Sequence, residues 1–118
     1  MSFLPVALRT AGLVLDPGTP ARSGSRLQIL ATGLGRVRPE WPTGLAAPLD
    51  NPPAVVATTR AFLAGEPVEV TRATLAPGYV GMYLIEVQLP SLVDRGTVDF
   101  YLEAQGRESN RIRIELEP

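Results

Sequence analysis

The sequence contains no cysteine, no histidine and no lysine, and the first two absences each exclude a class of chemistry. Without cysteine there are no disulfides and no thiolate metal sites, while oxidising and reducing compartments both remain open. Without histidine the chain lacks the commonest general base and the commonest ligand of transition metals, which excludes most hydrolase and zinc mechanisms. All 11 basic residues are arginine, a bias typical of a GC-rich genome when alanine, glycine and proline are also abundant.

Long apolar runs and a charge excess are missing as well. No run approaches the roughly 20 residues that span a bilayer, and residues 1–5 lack the basic and apolar regions of a signal peptide. The formal net charge is −1, which gives no electrostatic footprint for nucleic acid. We therefore expect no membrane insertion and no nucleic-acid partner. A length of 118 residues predicts one domain, residues 1–118.

The sequence is organised around residues 75–90, which predict a rigid corner followed by a β-strand. Pro77 fixes one φ angle, while Gly78 and Gly81 allow positive φ. From Tyr83 onward apolar residues recur at every second position, the period of a strand with one buried face. We expect the corner to determine folding and not to be a ligand site. Its residues are Pro77, Gly78, Tyr79, Gly81 and Tyr83.

The two corner tyrosines invite a more specific interpretation. Immunoglobulin-like sandwiches place a tyrosine near such a corner, and its hydroxyl bonds to nearby backbone. Tyr79 and Tyr83 are both candidates for that role, and plain core packing is the alternative for each. Pro90 then ends the strand because it has no amide hydrogen to donate to a neighbouring strand.

Similar strands are predicted along the rest of the chain by alternating apolar residues and Gly/Pro turns. Residues 1–25 hold an N-terminal strand and linker, with one or two short strands in residues 6–16 and a turn signal at residues 16–18. The remaining predicted strands are residues 26–32, 54–63, 68–75, 97–105 and 111–117, with residues 64–67 as a four-residue hairpin loop. About seven short strands and no helical period predict an all-β fold, an antiparallel immunoglobulin-like β-sandwich, with a closed barrel as the alternative.

Residues 33–53 carry three glycines and five prolines in 21 positions, which predicts a long surface loop. Trp41 lies in its middle, and we expect it to pack back onto the sandwich, with a binding loop as the alternative. Arg36 and Arg38 beside Glu40 and Trp41 would suit the edge of a sugar or peptide site, since such sites use aromatic faces and bidentate donors. A solvated, charged loop is the simpler interpretation.

No motif in the sequence predicts a reaction. Residues 33–38 begin like a dinucleotide fingerprint, but Arg38 replaces the third glycine and the following prolines preclude a helix, which favours a turn at the end of a strand. The aspartates are not spaced as in a calcium loop, and the strand carboxylates lie opposite the apolar face. The aspartates are Asp16, Asp50, Asp94 and Asp99, and the strand carboxylates are Glu86, Asp99 and Glu103. We predict no catalytic residues, no metal and no cofactor.

Three pieces of the chain together resemble a known family. They are residues 31–35 (Ala-Thr-Gly-Leu-Gly), residues 75–83 with Val87 and Pro90, and Gly106 followed by Ser109-Asn110. In this order they resemble the Solibacter uncharacterised C-terminal domain family, over residues 26–116. The resemblance implies an immunoglobulin-like module, extracellular or at the cell surface, in exported bacterial proteins. Its implied partners are other domains of the same protein or cell-surface components.

Two functional hypotheses follow. The first is a non-catalytic structural or adhesive module, and not an enzyme, within an exported or cell-surface bacterial protein. The alternative is a carbohydrate-binding module that holds a polysaccharide against Trp41, Arg36 and Arg38.

Overall fold

The computed structural model describes residues 2–10, 13–15, 21–42, 44–91, 96–104, 106–109 and 111–117. Within these ranges the chain forms 12 β-strands and no helix. They are β1 Ser2–Thr10, β2 Leu13–Leu15, β3 Ala21–Arg22, β4 Arg26–Thr32, β5 Val37–Arg38, β6 Ala54–Val55, β7 Thr59–Leu63, β8 Glu66–Leu75, β9 Tyr83–Gln88, β10 Gly96–Ala104, β11 Arg107–Glu108 and β12 Ile112–Glu117. The described residues thus include no helix of the length and apolarity that crossing a membrane requires.

The strands form one hydrogen-bonded sheet. The sheet curls because the long strand β8 pairs with different neighbours along its two parts. Residues 69–75 of β8 pair with β9, whereas residues 66–68 pair with β7. The register shifts between Val70 and Arg72, and such an irregularity bends a strand and increases its twist. The path across the sheet is β2-β1-β4-β9-β8-β7-β10-β12-β3, with β5, β6 and β11 attached at its sides. Among the strands of the described residues, every pairing is antiparallel except that of β3 with β12.

The alternation seen in the sequence becomes an alternation of burial in the predicted strands. Along β4 and β9 every second side chain is buried, and the residues between them are partly or fully exposed. The inward side chains of four strands form one core, which consists chiefly of Leu27, Ile29, Ala31, Ile85, Val87, Phe100, Leu102, Ala104, Ile114 and Leu116. The inward and outward faces predicted for these strands are therefore confirmed.

The hairpin between β7 and β8 is tighter than the sequence predicted. Leu63 pairs with Glu66, which leaves only Ala64 and Gly65 in the turn. Their φ angles are 54° and 81°, the signs of a type I′ turn, whose twist matches that of the flanking strands. The four-residue loop predicted at residues 64–67 is wrong because β8 already begins at Glu66.

The strand predicted over residues 54–63 is also divided. Ala54–Val55 forms β6, which pairs with β5 and β8, and only Thr59–Leu63 pairs as β7 with β10. Short strands thus form inside and beside the segment that was predicted as an irregular loop.

The first 25 residues contribute three strands to the same sheet. β1 pairs with β2 and with β4, and β3 pairs with β12. The predicted turn at residues 16–18 lies outside the described residues.

The structure confirms the all-β class and the antiparallel pairing. It describes one curled sheet with the shape of a half-barrel, because the strand path runs without a break through β8. The sandwich of about seven strands and the immunoglobulin-like topology are not confirmed by this arrangement and stay predictions.

Candidate ligand groove

An open groove of about 790 Å³ lies where residues 35–42 and Leu45 face the corner that precedes β9. All three predicted ligand residues, Trp41, Arg36 and Arg38, line it. So do three residues of the corner, Tyr79, Gly81 and Tyr83. The volume falls within the range of about 300–1,000 Å³ that is typical of small-molecule sites. We call this feature the ligand groove.

One wall of the ligand groove is built on the short strand β5. β5 pairs with β6, and the amide of Val56 donates a hydrogen bond of 2.9 Å to the carbonyl of Arg36. These backbone contacts place Arg36 and Arg38 two positions apart on an extended segment, where side chains point to the same side. Both arginines are exposed, and within the described part of the chain neither forms an ion pair.

Trp41 is held by its own loop. Its indole N–H lies 3.2 Å from the carbonyl oxygens of both Leu45 and Ala46 and donates to them. The ring is half-buried and does not belong to the main core cluster. The expectation that Trp41 packs back onto the sandwich is therefore wrong, since the loop carbonyls satisfy its polar atom and fix it beside the groove.

The corner forms the facing wall. Gly78 and Gly81 have φ angles of 80° and 70°, as their positions predicted. The corner is fastened to the long loop by Ala47, whose amide donates to Tyr79 and whose carbonyl accepts from Gly78, both at 2.9 Å. The corner thus reverses the chain and also lines the groove, which the prediction of a purely structural corner did not include.

A tyrosine hydrogen bond joins the two walls. The hydroxyl of Tyr83 donates to the carbonyl oxygen of Gly35 at 2.6 Å, across 48 positions of sequence. A corner tyrosine therefore does bond to backbone, as predicted for one of the two candidates. Its partner lies in the opposite wall and not a few residues upstream, so the bond fixes the width of the groove at this point.

Exposed apolar side chains gather around the same groove. Leu45, Val56 and Tyr79 line it, and Tyr79 is 46% exposed. Val80 follows Tyr79, while Leu49, 78% exposed, lies beside Gly78, with its Cδ2 3.4 Å from where a β-carbon would be. These five are the large exposed hydrophobic residues of the described chain. No pattern in the sequence predicts this patch, because Leu45 and Leu49 lie among loop residues without any periodicity.

The glycine-rich segment before β5 directly follows the end of β4. Gly33 and Gly35 have φ angles of 73° and 87°, and Leu34 between them is buried at 1% exposure. No helix follows in the described residues, so the dinucleotide interpretation has no structural support.

The other acidic candidates do not converge. Among the described residues no three Asp or Glu side chains are grouped so that they could hold a metal ion, and Asp16 and Asp94 lie outside that part of the chain. Glu40 is the only carboxylate among the described residues that line the ligand groove.

Among the described acidic residues Glu86 has the most side-chain contacts, and it lies on the outer face of the sheet. Its carboxylate accepts hydrogen bonds from Gln28 at 3.0 Å and Thr71 at 2.9 Å, with Arg26 at 3.7 Å. Chiefly through the Gln28 hydrogen bond, and against the opposing effect of burial, these contacts lower the pKa of Glu86 below its ordinary 4.5. The group stabilises the sheet across β4, β9 and β8 and is remote from the groove lining.

Comparisons with protein families, with curated proteins and with solved structures give no match. The resemblance to the Solibacter family therefore stays a prediction.

Proposed function

We propose that this domain is a non-catalytic adhesive module of an exported or cell-surface bacterial protein, and that it binds polysaccharide in the ligand groove. The observation that carries the proposal is the juxtaposition of Trp41 and Tyr79 with Arg36, Arg38 and Glu40 in one open groove. Aromatic faces contact the apolar faces of sugar rings, while guanidinium and carboxylate groups bond to their polar substituents.

The rigidity of the groove supports a binding role. Tyr83 joins one wall to the other, Ala47 joins the corner to the long loop, and the loop carbonyls hold the Trp41 indole. A site held in shape before the ligand arrives loses less conformational entropy on binding. The exposed Leu45 and Val56 add apolar surface that a ligand would cover.

The non-catalytic part of the proposal is supported by the acidic residues. Glycoside hydrolysis commonly needs two carboxylates on opposite sides of the scissile bond. Glu40 has no carboxylate partner among the described lining residues, so it is better suited to accept hydrogen bonds from sugar hydroxyls. Incubation with chromogenic glycosides, esters and phosphates is expected to give no turnover above buffer.

The family resemblance supports the setting of the proposal. Two of its three pieces, residues 31–35 and 75–83, meet through the bond between Tyr83 and Gly35. In the third, the Ser109 hydroxyl accepts from the Leu102 amide at 2.9 Å, and the Ser109 amide donates to the Leu102 carbonyl. On this basis we propose the immunoglobulin-like assignment, the extracellular location and the neighbouring domains as partners. A purely structural module without a ligand is the competing proposal.

Binding to a panel of neutral and acidic polysaccharides decides between them. Fluorescence of the single tryptophan reports occupancy directly, and affinity electrophoresis provides an independent reading. Tyr79→Ala is the sharpest variant, because its ring is exposed and its hydroxyl has no hydrogen bond in the described chain. Val80→Ala, equally exposed but outside the groove lining, is the matched control.

We expect Tyr79→Ala to weaken binding at least about tenfold, because a sugar that covers the ring would remove apolar surface worth about 1.5 kcal/mol or more from water, and Val80→Ala to leave binding unchanged. Absence of binding to every polysaccharide in the panel would refute the carbohydrate role and leave the structural module.

A further inference from the structure

We infer that the ligand of the groove is an anionic polysaccharide, whose carboxylate or sulfate groups are bound by Arg36 and Arg38. The inference rests on the proposed function, because it specifies the chemistry of the sugar that the same groove would take. It depends on how these two arginines differ from five arginines of the sheet that lie close to acidic residues.

Most strand arginines lie close to an acidic residue of a neighbouring strand. Three are directly opposite one in the ladder, and two more form ion pairs with one. The opposing pairs are Arg60 with Glu103, Arg72 with Glu86 and Arg113 with Asp99, and the ion pairs are Arg22 with Glu117 and Arg26 with Glu86. Opposite charges across strands stabilise a sheet modestly, which gives these arginines a structural role.

Arg36 and Arg38 lack that arrangement. Arg38 is paired with Ala54, and β6 offers no acidic residue opposite β5. Neither guanidinium forms an ion pair with any described residue. The fold therefore gives these two charges no acidic partner among the described residues, while both arginines line the groove.

The local charge and the geometry then select the ligand. The described groove lining carries two arginines and one carboxylate, Glu40, so it is positive although the whole chain has a net charge of −1. A guanidinium presents planar, paired donors that match the oxygens of a carboxylate or sulfate. Side chains two positions apart in a strand are separated by roughly 6–7 Å, so the two arginines can contact separate anionic groups or both oxygens of one.

The test compares polymers that differ in charge. Affinity electrophoresis and calorimetry are run with polygalacturonate, dextran sulfate, and the neutral polymers dextran and xyloglucan, at low and at moderate salt. The variant Arg36→Gln/Arg38→Gln removes both charges and keeps side chains of polar character. The control Arg107→Gln/Arg113→Gln makes the same change of net charge at exposed positions outside the groove.

We expect an anionic polymer to bind in preference to the neutral ones, with affinity that falls as salt rises. Arg36→Gln/Arg38→Gln should weaken that binding about tenfold or more, whereas the control should change it less than about twofold. Preference for polygalacturonate identifies carboxylate as the recognised group, and preference for dextran sulfate identifies sulfate ester. Both results support the inference.

Two other results overturn it in distinguishable ways. Binding of neutral polymers with equal or higher affinity, unchanged in Arg36→Gln/Arg38→Gln but lost in Tyr79→Ala, refutes the anionic ligand and preserves the proposed carbohydrate role. Equal losses in the arginine variant and its charge-matched control also refute it, because net charge alone would then explain the binding. Failure to bind any polymer refutes the inference together with the proposed function.

Discussion

Ile85→Ala tests the strand register on which every assignment of inward and outward faces depends. Ile85 is fully buried in β9, between Ile29 of β4 and Ala73 of β8 in the ladder. Because β9 is hydrogen-bonded on both sides, the surrounding strands have little freedom to close the cavity that the truncation leaves. We therefore expect a loss of about 3–5 kcal/mol, the upper part of the range for such truncations. That is a large share of a total stability of about 5–15 kcal/mol.

The neighbouring residue Leu84 provides the matched control. Leu84→Ala removes the same number of carbon atoms from the same strand, but its side chain is partly exposed on the opposite face of the sheet. We expect it to cost about 1 kcal/mol, in proportion to the smaller area removed from water. Glu86→Ala, also on that face, should cost about 1–2 kcal/mol because it removes the acceptor for Gln28 and Thr71.

Urea denaturation followed by circular dichroism measures the three free energies of unfolding, and a constant m-value shows that the unfolded states are comparable. The expected order of losses is Ile85→Ala, then Glu86→Ala, then Leu84→Ala. If Leu84→Ala proves more costly than Ile85→Ala, the register of β9 is displaced by one residue and the inward and outward faces must be exchanged.

Three further predictions concern a turn, a titration and a hydrogen bond. Ala64→Asn should raise stability by about 0.5–1 kcal/mol, because Asn-Gly suits a type I′ turn and Ala64 has a φ of 54°; a lower melting temperature would contradict this turn type. Glu86→Gln should cost stability above pH 4.5, and the difference from the unmodified chain should vanish as pH falls through the lowered folded-state pKa of Glu86; a difference independent of pH would refute the titration. Tyr83→Phe should cost about 0.5–1.5 kcal/mol in melting experiments and weaken polysaccharide binding, because its bond to Gly35 joins the groove walls; unchanged stability and binding would show that the bond is dispensable.

The strands that could be predicted are those whose sequence carries a period of two over enough positions. β4, β9, β10 and β12 each show that alternation, and each has one buried and one more exposed face in the structure. Local chemistry also sufficed for the positive φ of Gly78 and Gly81, since a Pro-Gly corner has few alternatives.

The features that escaped prediction depend on contacts between distant residues. β5 and β6 have two residues each, too short for any periodicity, and they exist because they pair with each other and with β8. The type I′ turn at Ala64 uses alanine where glycine or asparagine is the usual signal. The curl of the sheet depends on the change of partner along β8, from β7 to β9. No local pattern in the sequence predicts that change.

Only one wall of the candidate site could be predicted, because the other wall depends on contacts between distant residues. Trp41, Arg36 and Arg38 lie within six positions of one another, so their common location could be expected from the sequence. The opposite wall could not be predicted from the sequence. Tyr79 and Tyr83 face these residues only because of contacts between the corner and the long loop. Those contacts are the bridge between Ala47 and Pro77 and the bond from Tyr83 to Gly35.

Binding and folding should be separable at this groove, because different side chains serve each purpose. The Tyr83 hydroxyl and the Trp41 indole N–H donate hydrogen bonds to backbone carbonyls and so hold the walls in place. Arg36, Arg38 and Tyr79 make no such side-chain bond in the described chain and extend from walls that are already fixed. Replacing the second group should therefore change affinity without changing stability, whereas loss of Tyr83 should change both. In a structural module without a ligand, replacing Arg36, Arg38 or Tyr79 would change neither stability nor binding. Measuring both quantities for these variants therefore distinguishes the two proposals.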